Sequence, residues 1–215
     1  MQTSSAPTLH PPLASFPFFD EPFGKYERVP RTFRIVLRET ELLGRTCVKM
    51  VIKDTIPIGD PQIDNNYVED GYRFHDALHA AFLAHLAWSP VLRTVMRRRR
   101  RSDIPIHDVE DTGRAVLIEE TIVTLVHNAV RAEGLRSGIT RIDPVVLRTI
   151  LDLTHFLEVK CYTSDHWEHA ILSGLDCWRQ CWLNRGGLLR GNLHQRTLVY
   201  EPAPPPPDHP LPPEL

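Results

Sequence analysis

The prolines of this chain are concentrated at its two ends, and this distribution limits where a fold can form. Five of the 19 prolines fall in residues 1–22 and eight fall in residues 202–213. Because proline lacks the backbone amide that helices and sheets use as a donor, neither end is expected to enter a regular element. The distribution predicts a proline-rich disordered tail over residues 1–27, a folded domain over residues 28–200 and a second such tail over residues 201–215.

The overall composition is that of an ordinary globular protein. The chain is 42% hydrophobic and 24% charged, and its formal net charge is −2. This charge gives no global field that would attract nucleic acid or an anionic membrane, and no apolar run approaches the roughly 20 residues that cross a bilayer. An N-terminal signal peptide is not recognisable, and four scattered cysteines are too few for a disulfide scaffold. These features predict a cytoplasmic protein without membrane partners, and they do not favour nucleic acid as a partner.

Hydrophobic periodicity and capping signals predict a mainly α fold. Alternating apolar residues indicate a β-hairpin over residues 31–53, a Pro- and Gly-rich loop follows, and a short hairpin near the C-terminal end could join the first one. Five helices are expected between the hairpins, and we predict a helical bundle with a small β-hairpin sheet attached. The first predicted helix covers residues 72–87, and the second begins after its capping residue, Ser89. The other three cover Asp108–Glu133, Asp143–Glu158 and Asp165–Asn184.

The segment GYRFHDALH, residues 71–79, places polar side chains in a helix that is otherwise apolar. His75 and His79 are four residues apart and therefore share one helix face, where both imidazoles can bind one metal ion. Asp76 and His79, three residues apart, can do the same. The alternative is structural: Asp76 offsets the dipole at a helix N-terminus, and the histidines hydrogen-bond to the backbone.

Glu119 and Glu120 interrupt an apolar stretch of the predicted long helix. Both have aliphatic residues one turn to either side, so both are expected to be buried against a neighbouring helix. A buried carboxylate persists only with a cation, a hydrogen-bond network or a raised pKa. A divalent ion held between these carboxylates and the His75–His79 turn meets this requirement, and salt bridges to arginines are the alternative.

Five consecutive arginines, Arg97–Arg101, form the C-terminal end of the helix that Ser89 is expected to cap. The helix dipole favours cations at a helix C-terminus. The side chains of five consecutive residues point in all directions around the helix axis. Guanidinium groups suit phosphate oxygens, so one interpretation is a clamp for a polyphosphate. A nucleic-acid patch and a solvated run without a ligand are the alternatives. The run contains no interleaved aromatic residues that would act as stacking platforms for a single strand.

Several stretches of the chain resemble the MazG-like branch of the all-α nucleoside triphosphate pyrophosphohydrolases. They are DGYRFHDALHAAFLAHLAWSPVLR, RRRRRSD, VEDTGRAVLIEETIVTLVHNAVR, WEHAILSGL and NRGGLLRGNLHQRTLVY, and the resemblance covers residues 31–200. It implies a dimer or higher homo-oligomer that uses Mg²⁺, with Mn²⁺ as the alternative, to hydrolyse a nucleoside triphosphate to monophosphate and pyrophosphate. The chain departs from the family pattern at His79, where a carboxylate is expected, and at Ile122 and Val123, where an aspartate is expected.

The resemblance also implies roles for individual residues. The metal ligands would be His75, Asp76, His79, Glu119 and Glu120, and Glu119 or Glu120 would also serve as the catalytic general base. Substrate would be bound by Tyr72 or Trp88, stacked on the base, and by Arg97, Arg98 and Arg100, holding the pyrophosphate.

Two other interpretations stay open at the level of sequence. The His75–Asp76 dipeptide is similar to that of HD-domain phosphohydrolases, although the only upstream histidine is His10 and Asp152 is the candidate for the distant aspartate. A non-catalytic helical interaction module, with its carboxylates in salt bridges, is the other interpretation.

Overall fold

A computed structural model of the chain describes residue 16, residues 18–52 and residues 56–203. These residues are 47% helix and 21% strand, with six α-helices and a five-stranded antiparallel sheet. The predicted helical bundle with only a small hairpin sheet is therefore wrong. The domain is an α+β fold in which the sheet forms a full layer beside the helices.

The bounds of the elements follow. The strands are β1 Thr32–Leu42, β2 Arg45–Ile52, β3 Ile56–Gln62, β4 Gly186–Asn192 and β5 Thr197–Glu201. The helices are α1 Asp76–Leu86, α2 Pro90–Val95, α3 Ile104–Glu110, α4 Gly113–Ser137, α5 Pro144–Thr154 and α6 Ser164–Leu183.

The strands lie in the order β3-β2-β1-β4-β5, so the two predicted hairpins share one sheet. β1 is the central strand and pairs with β2 on one side and β4 on the other. The third strand, β3, lies where the sequence predicts a loop, because Pro57 and Pro61 discourage a strand. As an edge strand, β3 has only one neighbour, so the missing proline amides need not interrupt a second ladder.

The α1 helix lies at the centre of the domain, and all 11 of its residues are buried. Phe33, Ile35 and Leu37 project from β1 into the same core. On the other side, α1 crosses α6 closely, since a Cβ added to Gly174 would lie 2.8 Å from Leu78 Cδ2. A helix enclosed in this way also encloses its polar residues. None of the helices in the described residues is long and apolar enough to cross a membrane.

Helix starts were predicted correctly where proline follows the capping residue. Ser89 caps α2 and Asp143 caps α5, in each case through a side-chain oxygen that accepts a backbone amide proton. The long helix does not start at Asp108. Asp103 caps the separate short helix α3, and α4 begins after Thr112.

A buried ion-pair network ties the α2–α3 connection to distant parts of the chain. The guanidinium of Arg100, which is 1% exposed, donates to both carboxylate oxygens of Glu158, at 2.7 and 3.0 Å, and to Asp111 Oδ1 at 2.7 Å. Arg93 lies beside it, 3.4 Å from Asp111 and 3.2 Å from Asp20. The network holds the start of α4 and the turn before α6 against the end of α2.

Part of the N-terminal segment packs on the domain. Within the predicted tail of residues 1–27, Phe18 packs against the core, and Asp20 is buried with its carboxylate 2.7 Å from the guanidinium of Arg31. The rest of this predicted tail before Phe18, apart from residue 16, and residues 204–215 of the C-terminal one lie outside the described residues.

We expect Arg100→Gln to lower the free energy of unfolding by about 3–5 kcal/mol, because it leaves the Glu158 carboxylate without its cation and leaves Asp111 with only the more distant Arg93. Arg99→Gln is the control, because it removes a neighbouring charge. Within the described residues, the guanidinium of Arg99 bonds only to Thr94, so this variant should lower the free energy of unfolding by only about 0.5 kcal/mol. Urea unfolding of the two variants measures the difference. Equal losses would show that the Arg100 network contributes no more than a surface arginine.

The surroundings of the His85 imidazole predict that the free energy of unfolding depends on pH. Its Nε2 lies 2.8 Å from Ser173 Oγ, and burial, followed by the neighbouring His169, lowers the pKa of His85 to about 4. A histidine with a depressed pKa contributes stability above its unfolded pKa, near 6.5, and loses it as the pH falls through the folded value. We expect the wild-type chain to lose up to about 3 kcal/mol between pH 6.5 and pH 4 that His85→Gln does not lose. Parallel curves of unfolding free energy against pH would contradict this.

Candidate metal centre

Three potential metal ligands meet where α1 packs against α4. Within the described residues, His75, His79 and Glu120 each place one ligand atom within 4.8 Å of the other two. His75 is the N-cap residue of α1, and His79 lies one turn further along the same face. Glu120 lies near the start of α4. The two histidines and the acidic pair that were recognised separately in the sequence therefore lie next to each other in the fold.

The ring of His79 is oriented by Glu119. Its Nδ1 lies 2.8 Å from Glu119 Oε1, and both side chains are fully buried. Because a carboxylate oxygen accepts, Nδ1 carries a proton, and in the neutral imidazole Nε2 holds the lone pair. In the described part of the chain, this Nε2 is buried without a hydrogen-bond partner, and it lies 3.5 Å from Glu120 Oε1.

The ring of His75 is held in the same sense by the backbone. Its Nδ1 lies 2.9 Å from the carbonyl oxygen of Tyr72, which can only accept, so Nε2 again holds the lone pair. The Tyr72 ring stacks on His75 with centroids 4.5 Å apart. Both imidazoles thus donate from Nδ1 to an anchoring oxygen and keep Nε2 for another partner. Metal-binding histidines usually have this arrangement.

Glu119 and Glu120 have different surroundings although they are adjacent. Glu119 is 0% exposed and also accepts from the Ser89 hydroxyl at 2.7 Å and the Val91 amide at 2.8 Å. Three donors therefore occupy its two oxygens. The side chain of Glu120 is 41% exposed and faces solvent beside His79. Glu119 positions the histidine, and Glu120 is the carboxylate with a free coordination site.

The charges of this cluster are strongly coupled. Burial would lower the pKa of His79, but the two neighbouring carboxylates, Glu119 first, raise it well above its usual value. Burial would raise the pKa of Glu120, but the neighbouring imidazole of His79 lowers it. Burial lowers the pKa of His75. Without a metal ion, these shifts favour the protonated form of His79 between the two carboxylates and the neutral form of His75.

The other predicted site residues near these helices lie outside the three-donor group. Asp76 is buried beside His75, outside the three-donor group. Trp88 is 1% exposed and packs edge-on against Trp167, so it has no open ring face for a base. Tyr72 contacts the site directly and extends from His75 to Thr124, where the two hydroxyl oxygens are 3.0 Å apart.

The arginine run is not on a helix, contrary to the sequence interpretation. The α2 helix ends at Val95, where the Arg98 amide donates to the Arg93 carbonyl and Arg97 takes a left-handed φ of 56°. This is a helix-terminating motif whose left-handed position is usually glycine. Arg100 is held in the buried network, whereas Arg97 and Arg98 line cavities together with the N-terminal segment.

His127 is a site neighbour to which the sequence analysis gave no role. Its ring stacks on Trp178, with centroids 5.2 Å apart, and meets the Tyr72 ring edge-on. Its buried Nε2 has no hydrogen-bond partner within residues 16, 18–52 and 56–203, and Asp70 Oδ1 lies 4.0 Å away. The sequence signal was available, because His127 follows Glu120 by seven residues and so lies on the same stripe of α4.

Comparison with known proteins bears on the origin of this site. No curated protein and no solved structure matches the chain. A sequence profile described as the MazG C-terminal domain matches residues 14–204, a span that includes all three donors. The match covers most of the chain and confirms the MazG-related resemblance found in the sequence. The chain belongs to the MazG C-terminal domain family.

Proposed function

We propose that the chain hydrolyses a nucleoside triphosphate to monophosphate and pyrophosphate at a divalent metal ion held by His75, His79 and Glu120. The family relationship supports a nucleotide as the substrate class. The observation that carries the proposal is that these three residues each place one ligand atom within 4.8 Å of the other two, while the buried Nε2 of His79 makes no hydrogen bond within the described residues. A buried polar atom without a partner costs free energy, and a metal ion bound to the lone pair would remove that cost.

The donor set favours a first-row transition ion over the Mg²⁺ expected from the resemblance. Magnesium prefers oxygen ligands, whereas imidazole suits manganese, iron and zinc. Two histidines and one glutamate also form the protein ligands of many catalytic zinc sites, which keep a further position for water or substrate. We therefore propose Mn²⁺ or Zn²⁺ as the ion, with Glu120 on the side that is open to solvent.

The residues of the chain have separable tasks in this scheme. A bound divalent ion would neutralise phosphate charge and activate a water molecule for attack at phosphorus. Glu119 fixes the tautomer and the orientation of His79 and is a positioning residue, since its oxygens are occupied by three donors. Tyr72 confines His75 by stacking on its ring, with the ring centroids 4.5 Å apart.

A specific observation also favours a second function, that of a non-catalytic module. The raised pKa of His79 means that an imidazolium between Glu119 and Glu120 already stabilises the cluster without metal. The two functions differ in their response to metal and to pH. Metal must displace the proton from Nε2, so its affinity increases with rising pH, whereas the imidazolium bridge weakens as the pH rises through the pKa of His79.

We expect Mn²⁺ or Zn²⁺ at a hundredfold excess over its dissociation constant to stabilise the wild-type chain by about 2.7 kcal/mol. The melting midpoint should rise by roughly 5–10 °C, and more at pH 8 than at pH 6. Glu120→Gln should lose most of this rise, together with metal-dependent pyrophosphate release from a panel of nucleoside triphosphates, because an amide is a poor ligand. Differential scanning fluorimetry and a pyrophosphate assay provide the measurements.

Asp152→Asn is the matched control for this test. Asp152 is exposed on α5 and is the aspartate that an HD-type site would use. Unchanged metal response in Asp152→Asn, with loss in Glu120→Gln, supports the proposed centre. If Glu120→Gln keeps both the midpoint rise and the turnover, this centre does not hold the metal. A wild-type midpoint that does not respond to metal, together with no pyrophosphate release from any nucleotide, supports the non-catalytic module. A rise without pyrophosphate release supports the metal centre but contradicts the proposed hydrolysis.

A further inference from the structure

We infer that the exposed arginines after α2 and the N-terminal segment of residues 18–31 form a binding surface for single-stranded nucleic acid. This inference is independent of the proposed hydrolysis, because it uses none of the metal-centre residues. It rests on unpaired cations, a continuous set of cavities and an exposed aromatic ring between them.

The cations of this surface lack carboxylate partners. Among the residues that the structure describes, no carboxylate lies within ion-pair distance of Arg97, Arg98, Arg99, Arg101 or Lys25. Their neighbours Arg93 and Arg100 are buried and ion-paired, so the run separates into an inner and an outer set. Clustered like charges repel one another, and an anionic ligand would offset that repulsion.

The backbone explains how adjacent arginines come to have opposite environments. Since α2 ends at Val95 and Arg97 turns the chain with a left-handed φ, the residues that follow are not helical. Arg100 is buried, while Arg99 and Arg101 on either side of it are half-buried and exposed. The buried arginine thereby anchors a segment that presents its neighbours to solvent.

The outer arginines line cavities that share residues. A cavity of about 950 Å³ is lined by Lys25, Tyr26 and Arg98, and one of about 500 Å³ by Tyr26, Arg97, Arg99 and Arg101. A third cavity of about 690 Å³ again includes Arg98. Tyr26 joins the first two cavities and Arg98 joins the first and third. A basic surface extended in this way fits a ligand with repeated negative charges better than one mononucleotide.

An aromatic ring is presented within this basic surface. The side chain of Tyr26 is 80% exposed at the junction of two cavities, and Phe18 and Phe23 line the larger one. The arginine run has no aromatic residues in sequence, but the fold brings them from the N-terminal segment. Single-strand-binding proteins combine a positive groove with rings on which unpaired bases stack. A duplex has no unstacked base for Tyr26, so the ring favours a single strand.

Two carboxylates lie on the same surface, and both are already engaged. Glu21 pairs with Arg31 at 3.0 Å and lies 3.8 Å from Arg28. Glu27 accepts from the backbone amide of Ser102 at 2.8 Å and from its hydroxyl. Neither carboxylate forms an ion pair with an outer arginine. Both keep their negative charge, but the seven cations that line the first two cavities outnumber them, so the surface keeps an excess of positive charge.

The test is fluorescence anisotropy of a labelled oligothymidylate of about 20 nucleotides, longer than the roughly 4–16 that one single-strand module covers. We expect the wild-type chain to bind it at about 50 mM salt, with an affinity that falls steeply as salt is added. Arg97→Gln/Arg99→Gln/Arg101→Gln should weaken binding about tenfold or more, and should lower the log–log salt slope by about 2, since each lost phosphate contact removes about 0.7. Tyr26→Ala should weaken binding severalfold, and Tyr26→Phe should not.

The control variant removes three positive charges outside this surface, at exposed arginines: Arg45→Gln/Arg141→Gln/Arg148→Gln. It should change the affinity for the strand less than about twofold. Melting curves of both triple variants establish that each is folded. The inference is overturned if the wild-type chain does not bind the strand, if the two triple variants lose affinity equally, or if Tyr26→Ala binds as the wild type does. Displacement of the strand by an equal concentration of a nucleoside triphosphate would also contradict it, because it would indicate a mononucleotide site.

Discussion

The buried carboxylate of Glu119 is the interaction on which the arrangement of the three helices depends. It carries a charge in a position with no solvent contact and satisfies that charge with a histidine from α1 and with a hydroxyl and an amide at the start of α2. A carboxylate with fewer donors would be costly in this environment. One side chain on α4 therefore sets the beginning of α2, the packing of α1 and the direction in which the imidazole of His79 points.

The candidate centre was predictable in part, because helical spacing alone brings His75 and His79 to one face. Sequence could not decide between Glu119 and Glu120, since adjacent helical residues differ by about 100° and both had apolar neighbours. The decision comes from tertiary structure: the free amide at Val91 and the hydroxyl at Ser89 occupy one carboxylate and leave the other free. The arginines were misjudged because the helix was expected to continue, whereas it ends before the run begins.

Errors about the fold have related physical causes. The hairpins at the two ends of the domain were recognised by alternation, and the pairing of β1 with β4 joins them as the sequence allowed. Alternation does not reveal the fifth strand, β3, and with it the sheet becomes a full layer. The prolines of β3 concealed an edge strand, where their lack of an amide costs little. The α1 helix is buried on every side. Because its sequence has no polar face, the sequence did not indicate that a sheet covers one side of this helix and other helices cover the rest.

Because α1 is enclosed, the two halves of the candidate centre, the histidines at α1 and Glu120 on α4, differ in how well they tolerate substitution. A replacement at His75 or His79 alters a helix with no exposed residue, so it disturbs packing as well as coordination. Glu120 is 41% exposed on the surface of α4 and can be exchanged for another side chain at little cost to the core. Diversification of such a centre, in nature or in the laboratory, would therefore proceed from the α4 side, with the histidine pair as its invariant half.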